Sequence, residues 1–122
     1  MNLIVFLHYK TEKEGQPLRN RLGALTGLNS IEYCSDFESF KERLQQPVRF
    51  ERSEVFILFA AGQEQLQKFS AFNPYFEDRR IIIILPDDSP ETIDGVLKLR
   101  PRYFTTKNDT YDDLCAVLKK LM

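Results

Sequence analysis

The side chains able to do chemistry are few. The chain has one histidine, His8, and two cysteines, Cys34 and Cys115. His8 directly follows the apolar run Leu3 to Leu7. A neutral imidazole there can act as a general base or a ligand. A lone histidine with no Cys, Asp or Ser close by in sequence is more often an ordinary loop residue. Asp87 and Asp88 follow a second apolar run and can hold a hard cation. Adjacent residues point apart, however, and carboxylates just before a helix are favoured by its dipole and free N–H groups. Capping is therefore the stronger reading. Lys107 can meet an anion, stay solvated or pair with Asp87. Gly15 is the one glycine in the loop after His8, and no GxGxxG or Walker spacing offers a phosphate cradle. The cysteines form no CxxC pair and read as reduced, packed thiols of a cytoplasmic protein.

Composition bounds the rest. With 122 residues, 43% apolar and 29% charged, the chain matches one ordinary soluble domain spanning 1–122. The net charge of −1, with both signs interspersed, gives no basic stripe for phosphates, so nucleic acid is not expected as a partner. The longest apolar run is too short to span a bilayer, and no basic leader with a cleavage site is seen. The expectation is a stand-alone protein with neither membrane partner nor secretory signal.

Any site must be positioned by the elements around Arg80–Leu85. Four isoleucines and a leucine in succession leave no polar face, and Pro86 ends the run. That pattern predicts a strand buried on both faces, as in a parallel sheet covered by helices. Leu3–Leu7 and Glu54–Ala61 read the same way. Ile31–Cys34 alternates and suits a place nearer the edge, and Arg102–Thr105 is a short fifth strand. Between them lie amphipathic segments. Pro17 opens the first, with Leu18, Leu22 and Leu25 on its inner side and Gly27 at its end. Gly23 weakens it. Ser35 and Glu38 form a capping box for the second, which carries Phe37, Phe40 and Leu44. Leu66, Phe69 and Phe72 mark the third. Ser89 caps the fourth, with Pro90 first and Ile93, Val96 and Leu97 inward. Asp109 or Thr110 caps the last, whose stripe is Tyr111, Leu114, Cys115, Leu118 and Leu121. Val48–Ser53 reads as a loop. Strict alternation of this kind predicts an α/β fold: a three-layer doubly wound parallel sheet of five strands, best arranged 2-1-3-4-5.

The stretch Pro86–Thr92 through Leu99, then Tyr103-Phe104-Thr105-Thr106-Lys107 and the closing helix, resembles the end of a response-regulator receiver domain, a flavodoxin-like fold. Length and alternation match throughout; specific residues match only in this last third. The resemblance implies a phosphorylation pocket made of an acidic pair after strand one to hold Mg²⁺, an aspartate ending strand three, a Ser or Thr ending strand four, and a lysine after strand five. Here those places fall at His8 and Tyr9, at Phe59 or Ala60, at Leu85 or Pro86, and at Lys107. Only Lys107 matches, and Asn108 replaces the usual following proline. A hard Mg²⁺ needs clustered carboxylate oxygens. The expectation is thus a degenerate receiver with no catalytic residue, metal or cofactor, and with His8, Asp87 and Lys107 as a vestigial pocket.

Resembling receivers use the region between helix four and strand five to dimerise or bind partners. Here it carries Leu99, Arg100, Arg102 and Tyr103, and Arg and Tyr are enriched at interaction hot spots. A charged, solvated edge strand is the plain alternative. The expected function is a signalling or scaffold module that binds a protein partner, a second copy of the chain included. The rival is a small-molecule or nucleotide-binding module, or a small enzyme, at the carboxyl edge of the sheet.

Overall fold

The computed structural model describes residues 1–47 and 53–122. Strands β1 (Asn2–Phe6), β2 (Ser30–Cys34), β3 (Glu54–Phe59), β4 (Arg80–Leu85) and β5 (Tyr103–Thr106) alternate with helices α1 (Glu12–Gly23), α2 (Phe37–Leu44), α3 (Gln63–Ala71), α4 (Pro90–Leu97) and α5 (Asp112–Leu121). The strands form one parallel sheet in the order β2-β1-β3-β4-β5. This is the expected doubly wound, flavodoxin-like arrangement.

Two-residue alternation sorts the central strands between two apolar layers. Ile4 and Phe6, Phe56 and Leu58, and Ile81, Ile83 and Leu85 pack with Phe40 and Leu44 of α2, Leu66 and Phe69 of α3, and Val96 of α4. Leu3 and Val5, Val55, Ile57 and Phe59, and Ile82 and Ile84 pack with Leu18 and Leu22 of α1 and Leu114 and Leu118 of α5. Both faces are therefore apolar, which explains why these strands read as unbroken hydrophobic runs. The free thiols of Cys34 and Cys115 are buried on opposite faces, Cys34 among the α2 layer and Cys115 on α5. Burial pushes the Cys34 thiol up to about 11. Among the described residues, no helix is long and apolar enough to cross a membrane.

Several local expectations are corrected. α1 begins at Glu12, after a 3-10 turn at Tyr9–Thr11, and Pro17 lies inside it. The turn is closed by Thr11 N–H and Oγ1, both donating to the His8 carbonyl, so the helix starts before its proline. Gly15 is buried here against Leu7, where an added Cβ would stand 2.1 Å from Leu7 Cδ1. Gly23 ends α1, and Gly27 turns the connection to β2 at φ +86°. Asp36, not Ser35, caps α2, accepting from Ser39 N–H at 2.7 Å. α5 starts after Tyr111, held at φ +68° with its ring buried, so neither Asp109 nor Thr110 is its cap residue. On α4, Ser89 and Pro90 stand as expected, but Leu97 is 54% exposed and Thr92 is the residue turned inward. β5 begins one residue later than predicted. Residues 48–52 of the predicted Val48–Ser53 loop lie outside the described residues.

Candidate functional site

The carboxyl ends of the parallel strands deliver His8 after β1, Ala60 to Gly62 after β3, Pro86 to Asp88 after β4 and Lys107 after β5. Crossover geometry brings such loops to one edge. The structure nonetheless gives each candidate its own partners.

Lys107 pairs not with Asp87 but with Glu14 of α1, Nζ to Oε2 at 2.9 Å, and donates to the Ala61 carbonyl at 3.0 Å. Its backbone N–H extends the β4–β5 ladder to Leu85 O at 2.8 Å. Its carbonyl accepts from the Tyr111 hydroxyl at 3.1 Å. Burial pushes that phenol up to about 12, keeping it a donor.

Asp87 is the acceptor of a different network. Its Oδ1 takes the Thr92 hydroxyl at 2.7 Å and the Ser89 N–H at 3.0 Å, and its Oδ2 takes Gln63 Nε2 at 3.2 Å. Gln63 also donates to Thr92 Oγ1 at 2.6 Å. The network joins the β4–α4 loop to α3. Hydrogen bonds from Thr92 and then Ser89 hold the Asp87 carboxyl down at about 2. Asp88 is exposed beside it. Gln63 and Thr92 were invisible to motif reading, since their partnership crosses two helices. The one local signal was a hydroxyl on the otherwise apolar inner stripe of α4.

This network has a pH signature. A carboxyl lowered from 3.8 to about 2 favours the folded state above its unfolded value, and that contribution is lost as pH falls through about 2. Thr92→Val removes its largest hydrogen bond. The Asp87 titration followed by NMR should then move up toward 3.8. The stability of the variant should fall less steeply than wild type between about pH 4 and pH 2, although it starts about 1–2 kcal/mol lower from the lost buried hydroxyl contacts.

His8 turns elsewhere. Its Nδ1 accepts from Lys10 N–H at 3.2 Å, and its ring stacks on Tyr9 at 4.5 Å. With Lys10, Phe37, Glu64, Gln65 and Lys68 it lines a cavity of about 160 Å³. No hydrogen bond or ion pair joins His8, Asp87 and Lys107 to one another among the described residues. Nor, among those residues, are three or more His, Cys, Asp or Glu side chains gathered to hold a metal ion.

The second candidate surface lies at the α4–β5 corner. Leu99 is 4% exposed and packs in the core layer with Val96 and Ile81, so it supports this surface from beneath. Arg100 is exposed at φ +51°. Arg102 is exposed, and its backbone N–H bonds Ile81 O at 2.8 Å. Tyr103 is half-buried against the α1–α5 layer, and burial raises its phenol pKa. β5 pairs with β4 and ends the sheet. Compared with known proteins, the chain matches no family model, and no curated protein or solved structure matches it at a significant level.

Proposed function

We propose that this chain is a receiver-like signalling or scaffold module of the cytoplasm that binds a protein partner without being phosphorylated. The observation that carries this reading is the setting of Lys107. The lysine a phosphoryl group would need is bonded to Glu14 and to the carbonyl of Ala61, at a strand end occupied by Ala60 and Ala61 instead of a carboxylate. A hard divalent cation needs clustered carboxylate oxygens there, and the acceptor that the receiver resemblance implies is an aspartate. Arg100, Arg102 and Tyr103, beside the terminal strand, supply the side chains that such a partner, or a second copy of the chain, would engage.

The test is an amide NMR spectrum before and after adding Mg²⁺ with beryllofluoride, a phosphoryl mimic. Unmoved peaks at Ala60, Ala61 and Lys107 are expected. Shifts there, or covalent label from acetyl phosphate, would overturn the proposal. The rival reading, a small-ligand site at the carboxyl edge, draws on the cavity beside His8, Lys10 and Lys68. At about 160 Å³ it is smaller than ordinary ligand pockets. A thermal shift with nucleotide or metal would favour it.

A further inference from the structure

A cavity of about 520 Å³ lies at the opposite end of the sheet, between the segment leading into β4 and the α4–β5 turn. That volume lies within the range of small-molecule sites. Phe76, Ile81 and Leu99, all buried core side chains, contribute its apolar lining. Glu77 and Asp78 contribute from the segment before β4, and Lys98 and Arg100 from the turn after α4. None of these four charged side chains makes an ion pair or side-chain hydrogen bond among the described residues. Arg79 is already committed. Its guanidinium donates to the carbonyls of Tyr75, Leu44 and Gln46 at 3.0, 2.9 and 2.6 Å, tying the segment before β4 to the end of α2.

The backbone adds an independent observation. Among the described residues, three non-glycine positions have positive φ, and two of them, Asp78 at +63° and Arg100 at +51°, line this cavity. Arg100 follows the last turn of α4, with its N–H on Leu97 O at 3.2 Å, where glycine is the residue that costs least. Folding alone does not favour arginine at that conformation. Outliers of this kind cluster where side-chain function outweighs backbone preference.

We propose that this cavity binds a small zwitterion of the α-amino-acid class. The guanidinium of Arg100, with Lys98, takes the carboxylate as a charge-assisted donor pair. Asp78, with Glu77, takes the ammonium. The apolar lining accepts a hydrophobic side chain. A purely anionic ligand would meet the two carboxylates, and a purely cationic one the two bases, so opposite charges on one small molecule fit the lining best. The inference goes beyond the partner-binding reading and does not depend on it.

The test is an amide NMR titration with L-phenylalanine, 3-phenylpropanoate (anion only) and phenethylamine (cation only). L-phenylalanine is expected to shift the Asp78 and Arg100 amides, with each analogue weaker by about tenfold or more. Arg100→Gly should melt at the same or a higher temperature and bind L-phenylalanine about tenfold more weakly. Asp78→Asn, which tolerates the left-handed backbone, should weaken L-phenylalanine and tighten 3-phenylpropanoate, which then meets one carboxylate fewer. Arg102→Ala should bind as wild type. Absence of shifts with L-phenylalanine, equal binding of 3-phenylpropanoate, or wild-type affinity in Arg100→Gly would each overturn the assignment.

Discussion

Phe6→Ala is expected to lower the free energy of unfolding by about 3–5 kcal/mol, the range for truncating a fully buried phenylalanine. Phe6 is completely buried on the α2–α4 side of β1. Its ring centroid lies 4.6 Å from that of Phe37, 5.2 Å from Phe40 and 5.2 Å from Phe69, the last edge-on. Phe72 extends the cluster, 5.8 Å from Phe40. Truncation opens a cavity bounded by rings on two helices, and aromatic pair terms of about 0.5–1.5 kcal/mol beyond area burial are lost with it. A domain with a total stability of about 5–15 kcal/mol is left marginal by such a change. Urea unfolding monitored by circular dichroism measures this directly. Phe6→Leu should cost less than half as much, because it keeps most of the volume; equal losses would show that ring geometry, not volume, holds the layer together.

The second large effect is expected at Arg43. This α2 side chain is 13% exposed and lies between Glu32 of β2, at 3.2 Å, and Glu54 of β3, itself 12% exposed, to which it is hydrogen-bonded. Its guanidinium lies 5.8 Å from the Phe56 ring centroid. Burial pulls the guanidinium pKa down, but the hydrogen bonds it donates to Glu54 and Glu32 more than offset that and leave it above its ordinary value. Arg43→Ala should cost about 2–4 kcal/mol, mostly because Glu54 is left charged and poorly solvated. Arg43→Met combined with Glu54→Gln should recover much of the loss, since it removes the orphaned charge as well as the pair. Glu32→Gln should cost at most about 1 kcal/mol because that carboxylate faces water. Equal effects for Glu32 and Glu54 in denaturant titrations would contradict this division.

The central strands were legible because a strand covered on both faces has no use for polar residues. Ile81 to Leu85 is the plainest case, and Leu3 to Leu7 and Val55 to Ala60 follow it. The strand order also agreed with expectation, since short parallel strands joined by single helices leave few packings. Helix boundaries were less legible. Pro17 suits a first turn, but Thr11 closes the chain onto His8 and Gly15 fits against Leu7, so α1 is already formed before the proline. Ser35 and Glu38 have capping-box spacing, yet Asp36 holds the cap because its carboxylate meets Ser39 N–H. Tyr111 precedes α5 in a left-handed conformation that its sequence does not announce, and its buried ring is what holds it there.

The candidate site divides along the same line. The residue types at the strand ends were readable from order alone: a histidine after β1, alanines after β3, aspartates after β4 and a lysine after β5. Which of them meet was not readable, because hydrogen bonds between side chains of different crossovers leave no periodic trace. Lys107 turns to Glu14 and Ala61, Asp87 to Gln63 and Thr92, and His8 to Tyr9 and Phe37. Leu99 reads as a neighbour of Arg100 in a surface stretch, but the turn after α4, closed by its N–H on Val96 O, sends it into the core. The sequence by itself determined the alternation, the two-faced apolar sheet and the residues presented at each end, because these depend on local periodicity and chain connectivity. Only the tertiary structure decided the partners of each charge, and placed Asp78 and Arg100 around one cavity, because both depend on where segments distant in the chain come to rest.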